Sequence, residues 1–290
     1  MQDATETAKK HTGTLYIVAT PIGNLKDITY RAVETLESVD WIAAEDTRHT
    51  GKLLQALGFH RPLISLHDHN EQARMLQLLE KLKQGESGAL VSDAGTPLIN
   101  DPGFHMVKLL RQEGINVVPI PGPSAVITAL CAAGLPTDRF SYEGFLPAKA
   151  QRRINVLTSL KEDTRTLVFY ESPHRIMDTL PALLEVFGAE RQMAVGRELT
   201  KTYEQFVSGS VAEVLAYFTD NPDKVRGEFV LMVMGAVLEV DTDITDHDVM
   251  IQVMLKQGLP VKQISEIIAD YSGEKKKPIY NRVLQLKDSV

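Results

Sequence analysis

Three loops in this sequence combine residue types suited to holding a ligand: Thr20-Pro21-Ile22-Gly23-Asn24, Ser92 through Gly103, and Pro119 through Ala125. Glycine lets the backbone come close to a ligand, and proline fixes the shape of the loop. Asp93 and Asp101 in the second loop offer carboxylates that suit amino or hydroxyl groups. Any one loop reads equally well as a tight turn, because glycine and proline mark turns everywhere. Three of them after apolar runs shift the reading toward a site. The pattern G-x-G-x-x-G is absent after the first apolar run, and G-x-x-x-x-G-K-[ST] is absent throughout. A dinucleotide or nucleoside triphosphate is therefore disfavoured. The ligand these loops suit is small, with amine, carboxylate and ribose groups rather than a polyphosphate.

Two polar clusters also follow apolar runs: Glu45-Asp46-Thr47-Arg48-His49 and His67-Asp68-His69-Asn70-Glu71. Both are expected to rim the same cleft. A metal is disfavoured, since no cysteine accompanies His67, Asp68 and His69 and their spacing matches no zinc pattern. Asp68 or Asn70 also suits the N-cap of the following helix. Lys149, Arg152 and Arg153 lie beside Phe145 and suit either phosphate contact or a solvated helix face. His174 and Arg175, just after Glu171 at a strand end, are better placed to meet a phosphate-bearing ligand.

The elements that must position these groups alternate. Leu15–Ala19, Trp41–Ala44, Leu63–Leu66, Ala89–Ser92 and Val117–Ile120 read as strands. Helices are expected over residues 29–39 with Asp27 as N-cap, along the stripe Met75, Leu78, Leu79, Leu82, and over residues 104–113 and 124–133. This β-α-β order implies a mostly parallel sheet covered on both faces, with ligands at the carboxyl ends of its strands. Gly134-Leu135-Pro136 breaks the pattern. A second unit follows, with strands at residues 166–170, 192–195, 203–207 and 229–234 and a helix from Ile176 to Phe187. After Val240 an acidic linker leads to three short helices near residues 246–256, 261–271 and 277–286. The expected organisation is an N-terminal α/β domain (1–134), a C-terminal α/β domain (135–240) and a helical tail (241–290).

The 290 residues are 43% apolar and 24% charged, the profile of a packed globular protein. The net charge of −7 excludes a chain coated in positive charge, yet nucleic acid needs only a local basic patch. From Lys256 to Lys287, seven lysines and arginines face Glu266, Asp270 and Glu274, a local excess of four positive charges that includes Lys275, Lys276 and Lys277. Only Cys131 is present, which excludes an intrachain disulfide and fits a reducing compartment. The first residues lack the apolar core of a secretory signal, and no run is long enough to span a bilayer. The expected location is the cytoplasm.

The runs TPIGNLKDIT, AAEDTRHTGKLL, LHDHNE, VSDAGTPLINDPG, PGPSA, YEGFLPAK, FYESPHR and GRELTK together resemble one family, the ribosomal RNA small subunit methyltransferase I family of the tetrapyrrole methylase superfamily. The resemblance covers roughly residues 14–235, in the expected order. It implies two α/β domains that bind a bent S-adenosylmethionine in the cleft between them. It further implies methylation of the ribose 2′-OH of a cytidine in 16S ribosomal RNA, on the small ribosomal subunit, by a homodimer.

Carried onto this sequence, the resemblance puts Pro21, Ser92, Asp93, Thr96, Leu98 and Ile99 on the cofactor, with Ser92 and Ala94 replacing the glycine and proline of the superfamily's Gly-Asp-Pro loop. Ser124 and Ala125 would touch it from a helix N-terminus, where free N–H groups favour carboxylate or ribose oxygens. Tyr170, Glu171, Glu228, Phe229 and Val230 would close the pocket from the second domain. Arg48, Arg152, Arg153, His174, Arg175 and the lysines at 275–277 are the residues expected on RNA. A ribose hydroxyl needs a proton acceptor, for which Asp46, His67, Asp68, Asp101, Glu171 and His174 are candidates. Two rival readings are a C-methyltransferase of a tetrapyrrole precursor and a non-catalytic RNA-binding assembly factor.

Overall fold

The computed structural model describes residues 12–67, 71–237 and 247–287. The chain forms two compact units, Met1–Ala236 and Val237–Val290. Within the first, five strands make an all-parallel sheet: β1 (Thr14–Val18), β2 (Trp41–Ala44), β3 (Leu63–Ser65), β4 (Gly88–Val91) and β5 (Asn116–Ile120). The connecting helices are α1 (Tyr30–Ser38), α2 (Thr47–Leu57), α3 (Glu71–Lys83) and α4 (Phe104–Gln112), and α5 (Ala125–Ala132) follows β5. Every residue of β2 and β4 is buried, as expected of parallel strands covered on both faces. One apolar layer packs Leu78, Leu82, Met106 and Leu110 on one side of the sheet, and another packs Leu36, Val39 and Leu54 on the opposite side.

The strand order β3-β2-β4-β1-β5 decides where a ligand can sit. From β1 the chain crosses to β2 on one side, and from β4 it crosses to β5 on the other. The loops leaving β1 and β4 therefore diverge, which opens a crevice at the carboxyl ends of these adjacent strands.

A second sheet, ordered β6-β7-β10-β8-β9, lies in the same unit. It comprises β6 (Phe140–Phe145), β7 (Thr166–Glu171), β8 (Gln192–Arg197), β9 (Gln205–Ser210) and β10 (Phe229–Val233). Its helices are α6 (Ala150–Ser159), α7 (Ile176–Phe187) and α8 (Val211–Asp220), the last begun by a capping box between Ser210 and Glu213. This sheet is mixed: β6 pairs parallel to β7, and the remaining pairs are antiparallel. Phe169, Leu180, Leu183, Phe218 and Phe229 form its core.

Several expectations shift. The cap of α1 is Thr29, whose hydroxyl accepts from the Ala32 N–H, because Asp27 is taken up in a preceding turn of 3-10 helix. Strand β6 and the helices α2 and α8 lie beyond what the sequence pattern predicts, and β9 begins two residues later than expected. The Val237–Val290 unit holds α9 (Asp248–Lys256), α10 (Val261–Ser272) and α11 (Lys276–Lys287) around Ile251, Ile264, Ile268, Ile279 and Val283. The acidic linker expected there falls largely outside the described residues. No helix among those described is long and apolar enough to cross a membrane.

Gly88 shows how tightly the first sheet is packed. A Cβ at this position would stand 2.2 Å from the Trp41 ring, which is itself fully buried. Gly88→Ala is expected to destabilise the protein by about 1–3 kcal/mol through overpacking. Chemical denaturation checks this, and an unchanged midpoint would show that the indole has room to move.

Candidate active site

Loops at the carboxyl ends of the parallel strands are tied into one body. The Thr20 N–H donates to the Gly95 carbonyl (2.9 Å), and the Gly95 N–H returns a bond to the Thr20 carbonyl (3.0 Å). The Thr20 hydroxyl donates to the Ser92 carbonyl (3.2 Å) and the Thr96 hydroxyl to the Pro123 carbonyl (3.0 Å). The Asp46 N–H donates to Asp93 Oδ1 (3.1 Å), which brings in the loop after β2. The second loop turns sharply, with Leu98 and Asn100 at φ of 70° and 74°. Left-handed backbone at non-glycine residues is strained and persists where its surroundings impose it. Here the Asn100 carboxamide lies where a Cβ on Gly144 would stand, 2.8 Å from Asn100 Oδ1, against the bulge in β6.

A cleft of about 390 Å³ opens above these loops. One wall carries Gly95, Thr96, Ile99, Asp101 and the start of α5; the other carries Phe145, Tyr170, Pro173 and the Glu228–Val230 segment. Its size and largely apolar lining suit a small organic ligand. The start of α5 supplies polar groups. Ser124 occupies the N-cap position, yet its hydroxyl makes no capping bond, so the first turn of α5 lies beside the cleft without a side-chain cap, and its Val126 N–H meets the Tyr170 hydroxyl.

Of the residues expected on a cofactor, Thr96, Ile99, Ser124, Ala125, Tyr170, Glu171, Glu228, Phe229 and Val230 line this cleft. Pro21, Ser92, Asp93 and Leu98 are not among its lining residues. Ser92 is buried, with its hydroxyl turned to the Ala94 and Gly95 carbonyls, and Leu98 packs into the core of the first sheet. Ile22, Ala94, Gly95, Asn100, Phe145, Ser172 and Pro173 line the cleft without being predicted on it by the sequence. Most sit within the same motifs, one residue from an expected contact.

The proton-acceptor candidates separate clearly. Asp46 caps α2, accepting from the Arg48 and His49 N–H groups. The Arg48 guanidinium and these backbone bonds hold its carboxyl down at about 2. Glu171 is fully buried, and its oxygens accept from the Ser172 N–H (2.8 Å) and the Thr179 hydroxyl (2.6 Å), with Arg175 Nε at 3.4 Å. His67 and His174 stand apart from the cleft lining, and Asp68 lies outside the described residues. Asp101 lines the cleft, and burial raises its pKa above the usual carboxylate range, with the charge of Asp93 acting in the same direction. Burial likewise raises the Tyr142 and Tyr170 hydroxyls, whose rings meet edge to face at 5.0 Å.

Among the residues expected on RNA, Arg48 is 88% exposed in its ion pair with Asp46, and Arg152 and His174 are exposed. Arg153 departs from that expectation. It is only 5% exposed and reaches the Ala148 carbonyl, because its side of α6 faces the second core. Arg175 donates to the Leu146 carbonyl and pairs with Glu171. Lys275 and Lys277 are exposed, whereas Lys276 pairs with Glu266.

The arrangement is that of the tetrapyrrole methylase fold. A uroporphyrin-III-C-methyltransferase from Thermus thermophilus superposes with a TM-score of 0.54 at 22% identity, covering 77% of this chain and 94% of that one. A cobalt precorrin-4 methyltransferase superposes with a TM-score of 0.56 at 17% identity, covering 76% and 94%. Residues 14–215 match the family described as Tetrapyrrole (Corrin/Porphyrin) Methylases. The ribosomal RNA small subunit methyltransferase I of Pasteurella multocida (strain Pm70) is 51% identical, with 94% of this chain and 98% of the relative covered. That of Escherichia coli O157:H7 is 50% identical, with 97% and 98% covered. The chain belongs to the ribosomal RNA small subunit methyltransferase I family, within the tetrapyrrole methylases.

Proposed function

We propose that the cleft binds S-adenosylmethionine and that the enzyme methylates the ribose 2′-OH of a cytidine in the RNA of the small ribosomal subunit. The observation that carries the reading is the convergence of the strand-end loops and the start of α5, which has no side-chain cap, on one cleft. The residues present fit this cofactor. N–H groups at Ser124 and Ala125 suit its carboxylate or ribose oxygens, backbone polar groups at Gly95–Ile99 suit its hydroxyl and amino groups, and Phe145, Phe229 and Val230 suit an apolar ring. When bound it supplies an activated methyl group on a sulfonium centre. The protein's own task is to align the acceptor oxygen, exclude water and take up a proton.

The names of the close relatives support RNA as the acceptor, and a uroporphyrin-III C-methyltransferase of the same fold is described in complex with S-adenosylhomocysteine. The test is transfer of labelled methyl groups to 30S subunits from a strain lacking the activity, with the product nucleoside identified. A 2′-O-methylated cytidine is expected. Methyl transfer to a tetrapyrrole precursor instead, or cofactor binding with no transfer, would overturn the reading in favour of one of its rivals. The proposal includes a homodimer, which sedimentation checks.

A protein of net charge −7 must hold RNA through local positive groups. Replacing Arg48 and Arg152 with glutamine is expected to weaken RNA binding and to flatten its logarithmic salt dependence by about 0.7 for each phosphate no longer neutralised. Cofactor affinity should stay constant. A parallel fall in cofactor affinity, measured by calorimetry, would assign these residues to the fold instead.

A further inference from the structure

We propose that Asp101 is the catalytic base of the methyl transfer, taking the proton of the acceptor hydroxyl within the cleft. The assignment rests on the functional reading above and names the group that reading requires.

Among the described residues, three carboxylates line the cleft: Asp101, Glu171 and Glu228. Two are committed elsewhere. Glu171 already accepts from the Ser172 N–H and the Thr179 hydroxyl and pairs with Arg175. The Glu228 carboxylate, 79% exposed, points to Lys201 Nζ at 2.9 Å. Asp101 meets no cation and no backbone N–H among the described residues; the Ser92 hydroxyl is the one donor near it, and that hydroxyl is shared with the Ala94 and Gly95 carbonyls. Outside the cleft lining, Asp46 is occupied in capping α2 and Asp93 in holding the Asp46 N–H.

The chain is also built to hold Asp101 in place. On one side stands Asn100, in left-handed backbone with its carboxamide close to Gly144. On the other stands Pro102, which restricts the backbone of the residue before it. Left-handed backbone on one side and a proline on the other fix the position of this half-buried carboxylate. Burial raises its proton affinity and the charge of Asp93 from the same loop adds to this, against the Ser92 hydroxyl; Tyr142 from β6 and Tyr170 from β7 stand near enough to feel the Asp101 charge. A carboxylate raised toward neutrality is a stronger acceptor than one held near 2, as Asp46 is.

The step balances without a further reagent. Asp101 takes the hydroxyl proton as the ribose oxygen bonds to the methyl carbon, and the electron pair of the breaking carbon–sulfur bond stays on sulfur. The cationic sulfonium donor becomes a neutral thioether, and the carboxylate becomes a carboxylic acid.

Asp101→Asn is expected to lower kcat on 30S subunits about 100-fold or more, with KM and S-adenosylhomocysteine affinity changed less than about threefold. Asp101→Glu should recover part of kcat. The wild-type rate should rise with pH as Asp101 loses its proton, on a limb above the ordinary carboxylate range that Asp101→Asn lacks. In the cofactor-free protein, the carbon-13 carboxyl resonance of Asp101 should titrate at that same raised pKa. Asp101→Asn with kcat within tenfold of wild type and the limb intact would overturn the assignment. So would a parallel loss of S-adenosylhomocysteine affinity, which would make Asp101 a binding group. Wild-type enzyme inactive on 30S subunits defeats the functional reading and this assignment together, whereas wild-type turnover with an unaffected Asp101→Asn defeats the assignment alone.

Discussion

Ala125→Trp is expected to abolish binding of S-adenosylmethionine while leaving the fold intact. Ala125 is the first residue of α5 and lines the cleft, so an indole placed there occupies the space beside the open helix N-terminus. The first turn of a helix has no preceding turn for a large side chain to strike, so the substitution should not disturb α5 itself. The Ser124 hydroxyl makes no capping bond, and the bond from the Thr128 N–H to the Ser124 carbonyl involves backbone alone. Loss of affinity should reach about 100-fold, which corresponds to roughly 2.7 kcal/mol. Ala125→Ser adds one small polar atom and should stay close to wild type. Titration calorimetry gives the affinities and a thermal melt gives the control. Unchanged affinity in Ala125→Trp would remove the start of α5 from the cofactor site.

What the sequence made legible follows from how strongly each element advertises itself. The strands β1, β2 and β4 are short apolar runs, and β1 and β4 end in loops that carry glycine and proline, so both the parallel sheet and the place where its ligand sits could be read directly. Strand β6 reads Phe-Ser-Tyr-Glu-Gly-Phe, a half-buried edge strand with a bulge between Tyr142 and Gly144, and shows neither an apolar run nor clean alternation. Helix α2 carries Gly51 and a polar first turn, which hides its one buried stripe. The mixed pairing of the second sheet is set by long-range contacts that no local pattern encodes.

The site divides in the same way. Thr96, Ile99, Ser124 and Ala125 are loop and helix-start residues at strand ends, and topology alone delivers them to the cleft. Ser92 and Asp93 belong to the same motif, but the Ser92 hydroxyl turns back on its own loop and the Asp93 carboxylate ties in the loop after β2 instead of lining the cleft. A motif records which segment matters; the direction of each side chain within it depends on hydrogen bonds made after folding. Arg153 illustrates the converse. A basic residue on a helix invites an RNA reading, but its turn of α6 faces inward.

Glu171→Ala is expected to act through stability. The carboxylate has no solvent exposure, and its loss strands three donors at once: the Ser172 N–H, the Thr179 hydroxyl and the Arg175 guanidinium. Thr179 is fully buried, so water cannot readily replace its partner. Breaking a buried ion pair from one side typically costs about 3–5 kcal/mol. For a unit of this size that lowers Tm by roughly 6–20 °C. Arg175 also holds the Leu146 carbonyl, just after β6, so the wall of the cleft that carries Phe145 should loosen with it. Replacing Glu171 and Arg175 together with methionine removes the stranded charge and should recover part of the loss, since a matched apolar pair in place of a buried ion pair is often near neutral. Differential scanning calorimetry distinguishes the cases. If Glu171→Ala melted like wild type yet lost turnover, Glu171 would be acting on the substrate, and its bonds to Thr179 and Arg175 would be secondary to that role.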